Sequence, residues 1–149
     1  MSGTFWFCKN FNSNLNNWNV KKVRYMCNMF YNCSSFNSNL SNWETNNVLK
    51  MNGMFEYCTN FKGIGLDHWN VKKVNDMSSM FNNCENFNCD LTNWNIKNVK
   101  SMISMFNSCS NFKGIGLDHW EINKKTKIFG MLQCCNRLIN CPSWYNDKI

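Results

Sequence analysis

The chain has 149 residues, the length of one ordinary domain, and 44% of them are hydrophobic, which is enough to form a core. Its apolar runs are only a few residues long, which excludes a membrane-spanning helix, and no signal peptide is visible after Met1. The net charge of +7 allows weak attraction to acidic partners. We therefore expect an intracellular or virion-associated protein without membrane insertion, or a surface protein if a leader has been removed.

One motif recurs through the chain every 25 or 26 residues, and we number its units one to six by their cysteines. These cysteines are Cys8, Cys33, Cys58, Cys84, Cys109 and Cys135, and the tryptophans in step with them are Trp18, Trp43, Trp69, Trp94 and Trp120. The unit reads W-x-V-x-x-V-x-x-M-x-x-M-F-x-x-C-x-x-F-x-x-x-L-x-x-W. It predicts a single repeat domain over 1–149, with coils at about 5–26 (partial), 27–51, 52–77, 78–102, 103–128 and a degenerate cap at 129–149.

Each unit is predicted to form one short strand and then one short helix. In the first unit, Trp18–Val20 alternates apolar and polar residues, as a half-buried strand does. Val23, Met26, Met29 and Phe30 follow at the spacing of one face of a short helix, which also assigns the repeated methionines to the core. Stacked coil on coil, these elements predict an α/β solenoid of about six coils with a parallel sheet.

The stretch NFKGIGLDHW occurs twice, at Asn60–Trp69 and at Asn111–Trp120. Its K-G-I-G-L segment has one residue more than N-S-N-L in other units, so its glycines are predicted to let the backbone turn at the inserted residue. A phosphate-binding loop would need a strand before it and a helix after it, whereas the strand pattern W-N-V follows the first copy. The repeat context therefore favours a turn over a ligand loop.

The pattern W-N-V-x-x-V-x-x-M-S-S-M-F-x-x-C-x-x-F-N resembles the BspA-like, leucine-rich-repeat-related family, in particular its mycoplasma-type branch of unknown function. Met77–Phe81 and Trp94–Ile96 match best, and the resemblance extends from about Phe5 to Met131. It implies a leucine-rich-repeat-like solenoid. Relatives of this kind are surface adhesins and interaction proteins of bacteria and protists, and repeat proteins of large DNA viruses.

The cysteine pattern predicts buried thiols. Stacked cysteines one coil apart would point the same way, which holds their Cβ atoms further apart than the ~3.8 Å of a disulfide. A small cluster, Cys134, Cys135 and Cys141, has no fourth ligand for zinc nearby in the sequence, and its redox state stays open. We expect neither a metal nor a cofactor.

The two histidines do not predict catalysis. His68 and His119 each stand between an aspartate and a tryptophan, and on a strand Asp67 would face away from His68, which excludes a triad. Two coils apart, on the order of 10 Å, the histidines are also too distant to share a metal. We expect no catalytic residue and no small-molecule substrate.

The residues that flank the tryptophans are predicted to form an exposed binding face rich in amides. They are Asn17, Asn42, His68, Asn93, His119, Asn19, Glu44, Asn70, Asn95, Glu121, Lys21, Lys72 and Lys97. A purely structural role, with stacked asparagines bonding along the repeat, is favoured over ligand recognition at these residues. Nucleic acid is disfavoured as a partner because asparagines dilute the lysines and no stacking aromatics accompany them.

A second predicted surface lies at the N-terminal end. Trp6, Phe7, Tyr31 and Tyr57 would form an aromatic patch beside Leu15–Val20, a strand with an unpaired edge. We expect this association end to dock onto a second copy or another protein. The predicted function is that of a non-enzymatic protein-interaction or structural repeat protein. The alternatives are a minor capsid-associated component of a large DNA virus and an adhesin-like recognition module.

Overall fold

The computed structural model describes residues 1–146, and regular secondary structure covers little of that range. It consists of two 3-10 helices, Leu66–His68 and Leu117–His119, and one α-helix, α1, at Ser143–Asn146. Strand-like pairing is limited to single residues in parallel bridges: Tyr25 to Lys50, Lys50 to Asp76, Asp76 to Ser101 and Ser101 to Lys127. Residues 1–146 contain no sheet, and only three of the coils contain a helix. The predicted α/β solenoid with leucine-rich-repeat-like coils is therefore wrong.

Consecutive tight turns replace the predicted helix. In the second unit the amide N–H of Met29 donates to the carbonyl of Met26, and that of Cys33 donates to Phe30. Each turn links residues three apart. Buried residues therefore recur in the sequence at the same spacing as on one face of a short helix. Asn28 and Asn32 interrupt the segment with left-handed φ values of 53° and 57°, through which a right-handed helix cannot continue.

The predicted strand of the first unit is also a turn. The amide of Trp18 donates to the carbonyl of Leu15, and that of Val23 donates to Val20. The first bridged residue is Tyr25, which the sequence pattern placed in the helix. Leu15–Val20 is therefore not the unpaired edge of a sheet.

The units stack directly on one another through backbone hydrogen bonds. The amide of Phe30 donates to the carbonyl of Met54 in the next unit at 2.9 Å, and that of Phe55 donates in the same way to Met80 at 2.9 Å. Phe81 repeats the contact one unit further on, to Met105. Equivalent residues therefore form columns along the stack.

Aromatic and sulphur-containing columns fill the core. The rings of Phe30, Phe55 and Phe81 follow one another at centroid distances of 5.4 and 5.7 Å. The methionines at repeat positions are all fully buried, which confirms their assignment to the core: Met26, Met29, Met51, Met54, Met77, Met80, Met102, Met105 and Met131. The core is therefore one continuous column of side chains with contributions from every unit.

The tryptophans form a second column with its own hydrogen bonds. The indole N–H of Trp69 donates to the carbonyl of Leu40 at 3.2 Å, and that of Trp94 donates to Leu66 at 2.8 Å. Trp144 on α1 continues the series with a bond to Leu117 at 2.9 Å. Sequence reasoning missed this sixth member, because it assigned 129–149 only to a degenerate cap.

The glycines of the two NFKGIGLDHW stretches take the predicted role. Their φ values of 85°, 87°, 77° and 92° are all left-handed, at Gly63, Gly65, Gly114 and Gly116. Glycine reaches this conformation without steric strain, so the inserted residue is accommodated. Gly65 and Gly116 immediately precede the two 3-10 helices.

The ladder cysteines form a chain of thiol hydrogen bonds. The Sγ of Cys58 donates to the carbonyl of Phe30 at 2.9 Å, and that of Cys84 donates to Phe55 at 2.8 Å. No disulfide joins the ten cysteines, all of which lie within residues 1–146. Four ladder members are buried as predicted, but Cys8 is exposed and Cys135 only half-buried. The prediction of burial is therefore wrong at both ends of the ladder.

Thiol chemistry gives the first test of this arrangement. Burial raises the pKa of Cys84 and Cys109 well above the usual value, so both stay protonated at neutral pH, where only the thiolate is nucleophilic. We expect iodoacetamide to modify the exposed Cys8 and Cys134 in the folded protein, and Cys84 and Cys109 only after denaturation. Peptide mass mapping reads out each site. Modification of Cys84 as fast as Cys8 in folded protein would contradict the ladder.

Candidate binding surfaces

The residues predicted to flank the tryptophans are exposed along one face of the stack. A groove of about 370 Å³ between the fourth and fifth units is lined by Asn93, Asn95, Lys97, His119 and Glu121, among others. A second groove, of about 320 Å³, is lined by Asn17, Asn19, Lys21, Asn42 and Glu44, among others. The structure thus brings most of this predicted set together, while His68, Asn70 and Lys72 line neither groove. Their role in binding stays a prediction.

Several of these asparagines have a structural task that sequence reasoning missed. The Oδ1 atoms of Asn19, Asn70 and Asn95 accept bonds from backbone amides two residues further on, at 3.1 to 3.2 Å. Short polar side chains favour such local turns. The repeated asparagine after tryptophan therefore closes a turn within its own unit. Its occurrence alone does not indicate a ligand.

The surroundings of His68 differ from the sequence prediction. His68 belongs to the 3-10 helix Leu66–His68, and its Nε2 lies 3.2 Å from Oδ2 of Asp67. The prediction that Asp67 faces away from His68 on a strand is therefore wrong, because a 3-10 helix does not alternate its side chains between two faces. The pair is exposed, and exposed ion pairs contribute little to stability.

The predicted aromatic patch is assembled in the structure. Trp6 is 59% exposed, Phe7 51% and Tyr57 39%. The ring centroids of Trp6 and Phe7 are 5.0 Å apart, those of Phe7 and Tyr31 5.4 Å, and those of Tyr31 and Tyr57 5.7 Å. The four rings, which we call the aromatic patch, extend over three units. The aromatic patch therefore extends along the stack and is not confined to the N-terminal end.

Two members of the aromatic patch have an unusual backbone conformation. Phe7 and Tyr57 are left-handed, with φ values of 60° and 62°. In the second and fourth units the same position is held by Asn32 and Asn83, at 57° and 59°. Asparagine tolerates this conformation, whereas a bulky residue there is an outlier. The first and third units therefore display aromatic rings where the backbone favours asparagine.

One carboxylate lies beside the aromatic patch. Glu56 follows Phe55 in the sequence, is half-buried, and accepts a bond from Nδ2 of Asn82 at 2.9 Å. Desolvation raises the pKa of Glu56. Desolvation also raises the pKa of Tyr31, and the nearby charges of Glu56 and Tyr57 add to that effect. Glu56 is therefore close enough to the aromatic patch to affect the pKa of one of its members.

Neither a membrane-spanning helix nor a metal-binding cluster is found in the part of the chain that the structure describes. No helix of residues 1–146 has both the length and the apolar character needed to cross a bilayer. No three histidine, cysteine, aspartate or glutamate side chains in the same range are grouped so that they could hold a metal ion.

The stacked units and their columns define a repeat protein. A family described as "Mycoplasma protein of unknown function, DUF285" matches the chain twice, over residues 1–65 and 61–148. The chain therefore belongs to this family, which confirms the mycoplasma-type part of the resemblance. Comparison with curated proteins finds no match.

Proposed function

We propose that the chain is a non-enzymatic repeat protein that associates with a second copy of itself through the aromatic patch. The observation that carries this proposal is that Phe7 and Tyr57 expose aromatic rings at a left-handed position, which the other units fill with Asn32, Asn83, Ser108 and Cys134. Such a conformation costs on the order of 1–3 kcal/mol for a residue other than glycine. Because every unit has this backbone conformation, the aromatic side chains distinguish the first and third units, and exposed aromatic patches mark interaction surfaces.

The residue types of the aromatic patch also favour self-association. Tryptophan and tyrosine are among the residues that contribute most to protein interfaces. A two-fold contact would place Trp6 and Tyr31 of one copy against the same residues of the other.

The wider BspA-like resemblance supports a setting for this association. Capsid-associated components and adhesin-like modules both work through protein contacts, and we include both settings in the proposal. Neither needs a catalytic group or a bound cofactor.

A double substitution, Phe7→Asn with Tyr57→Asn, tests the proposal. Because asparagine holds the same position in two other units, the variant should unfold at the same or a higher urea concentration, with a gain of up to about 1 kcal/mol per site. Association should be lost. Sedimentation equilibrium at several concentrations is the measurement, with unmodified protein expected to dimerise.

The matched control is Tyr25→Asn with Phe129→Asn. It removes two exposed aromatic residues, 49% and 85% exposed, that lie outside the aromatic patch. The control should dimerise like the unmodified protein. The proposal is wrong if the unmodified protein stays monomeric at the highest concentration, or if the control loses association as fully as the patch variant.

A further inference from the structure

Positive charge is concentrated in one segment of the repeat. The segments that run from each tryptophan to the bridged residue contain eleven of the sixteen basic residues: Lys21, Lys22, Arg24, Lys50, Lys72, Lys73, Lys97, Lys100, Lys124, Lys125 and Lys127. The same segments contain three of the nine acidic residues, Glu44, Asp76 and Glu121. Their net charge of about +8 exceeds the +7 of the whole chain, so the remainder is nearly neutral.

The stack places these segments side by side. Parallel bridges join their last residues in one unbroken series from Tyr25 to Lys127, and neighbouring chains in such pairing are ~4.8 Å apart. All eleven basic residues are exposed. We call this surface the basic edge. A linear array of ammonium groups has its complement in a linear polyanion.

Two of the three carboxylates on the basic edge have partners. Glu44 pairs with Lys21 at 2.8 Å. Asp76 accepts bonds from the amide and the hydroxyl of Ser78, at 3.1 and 2.8 Å. The third carboxylate, Glu121, lies in the fifth unit, where it stands against five basic residues in the segments of the fourth and fifth units.

A groove between the fourth and fifth units lies within the basic edge. It measures about 530 Å³ and has four lysines in its lining, Lys97, Lys100, Lys125 and Lys127. Its other lining residues are Asn98, Val99, Asn123 and Thr126, so no carboxylate lines it. Glu121 lies beyond it, in the groove it shares with Lys97. Four ammonium groups without an anion among them repel one another.

The fifth unit departs from the repeat in a way that builds this groove. Thr126 is buried where other units bury a valine, and its hydroxyl donates to the carbonyl of Val99 at 3.0 Å. Burial of Thr126 leaves Lys125 and Lys127 exposed on either side of it. The run K-K-T-K therefore presents two of its three lysines, Lys125 and Lys127, to one groove.

An exposed aromatic ring stands at the end of the same segment. Phe129 is 85% exposed, and the buried Ile128 separates it from Lys127. Because Ile128 points inward, Lys127 and Phe129 both face outward. A basic groove beside an exposed aromatic ring is the combination that binds single-stranded nucleic acid without sequence preference.

We propose that the basic edge binds single-stranded nucleic acid, with phosphates in the groove of Lys97, Lys100, Lys125 and Lys127 and a base stacked on Phe129. The proposal goes beyond self-association and does not use the aromatic patch. The residues that flank the tryptophans disfavour nucleic acid as a partner, but Lys100, Lys127 and Phe129 do not belong to that set. Only the stacking of the units brings Lys97 and Lys100 of the fourth unit beside Lys125 and Lys127 of the fifth.

Fluorescence anisotropy with a labelled thymidine oligonucleotide of about 20 residues, at several salt concentrations, tests the proposal. Four phosphate contacts predict a slope of about −3 for log K against log salt, since each contact to a single strand contributes about −0.7. Replacement of all four groove lysines by glutamine (K97Q, K100Q, K125Q, K127Q) should weaken binding at least tenfold and flatten the slope.

The matched control removes four positive charges elsewhere: K9Q, K62Q, K113Q and R137Q, all at exposed positions. The control changes the net charge equally but should bind within about twofold of the unmodified protein when salt screens distant charges. An equal loss in both variants would show that only net charge matters and would overturn the site. Absence of binding by the unmodified protein at low salt would also overturn it.

Phe129→Ser distinguishes nucleic acid from other polyanions. Loss of one stacked base should weaken binding about 5- to 100-fold and leave the salt slope unchanged. Heparin fragments of equal charge carry no bases, so their binding should not respond to this substitution. If Phe129→Ser binds the oligonucleotide like unmodified protein, or if heparin binds more tightly than the oligonucleotide, nucleic acid is not the ligand.

Discussion

Trp69→Ala is expected to lower the free energy of unfolding by about 3–5 kcal/mol, the range for a buried aromatic residue replaced by alanine. Trp69 is only 2% exposed, and its ring lies 6.0 Å from that of Trp43 and 6.3 Å from that of Phe55. The substitution leaves a cavity between units. It also removes the indole donor from the carbonyl of Leu40, which then stays buried without that partner.

The control for this prediction is the adjacent residue. His68→Ala removes an exposed side chain and an exposed contact to Asp67, so it should cost about 0.5 kcal/mol or less. Urea unfolding followed by tryptophan fluorescence and circular dichroism measures both variants. Equal losses at the two positions would mean that the inward and outward faces of this segment are wrongly assigned.

Gly65→Ala is expected to lower the free energy of unfolding by about 2–5 kcal/mol. The left-handed backbone, with φ at 87°, costs a residue with a Cβ about 1–2 kcal/mol. The added Cβ would also meet the backbone of Ser41, at the nitrogen and at the Cα, 2.6 Å away. Overpacking of this kind costs about 1–3 kcal/mol more, because backbone atoms cannot rotate aside.

Gly3→Ala separates these two contributions. Gly3 is also left-handed, with φ at 63°, but a Cβ added there has nothing within 4 Å. The control should therefore lose only the conformational part, about 1–2 kcal/mol. Chemical denaturation of both variants gives the difference. If Gly65→Ala is no more destabilising than Gly3→Ala, the backbone of Ser41 is not the obstacle that the structure indicates.

The repeat pattern predicts which residues are buried but does not determine their backbone. Met26, Met29 and Phe30 enter the core as their spacing requires, because any regular stack buries the same columns. Turns and a short helix share that spacing, so the pattern alone cannot distinguish them. Left-handed residues exclude the helix, because a right-handed helix cannot continue through them. Several of them are serine, such as Ser79 and Ser104, and serine does not indicate this conformation in a sequence as glycine does.

The candidate surfaces were predictable to different degrees. The aromatic patch could be found because Trp6, Phe7, Tyr31 and Tyr57 are large apolar residues at positions that hold polar residues in later units. The groove lysines could not, because Lys100 and Lys127 lie outside the tryptophan-flanking columns. The thiol bonds were also missed, since the positions of the accepting carbonyls depend on the turn geometry.

The uniform contacts between units have a consequence for the gene. The residues Asn60–Trp69 and Asn111–Trp120 are identical and lie two units apart in the stack. Recombination between the corresponding DNA stretches would remove or add two whole units at once. Each new junction would join surfaces that already fit, because every unit offers its neighbours equivalent columns and backbone bonds. A chain longer or shorter by whole units would therefore keep the same columns and backbone bonds at every junction.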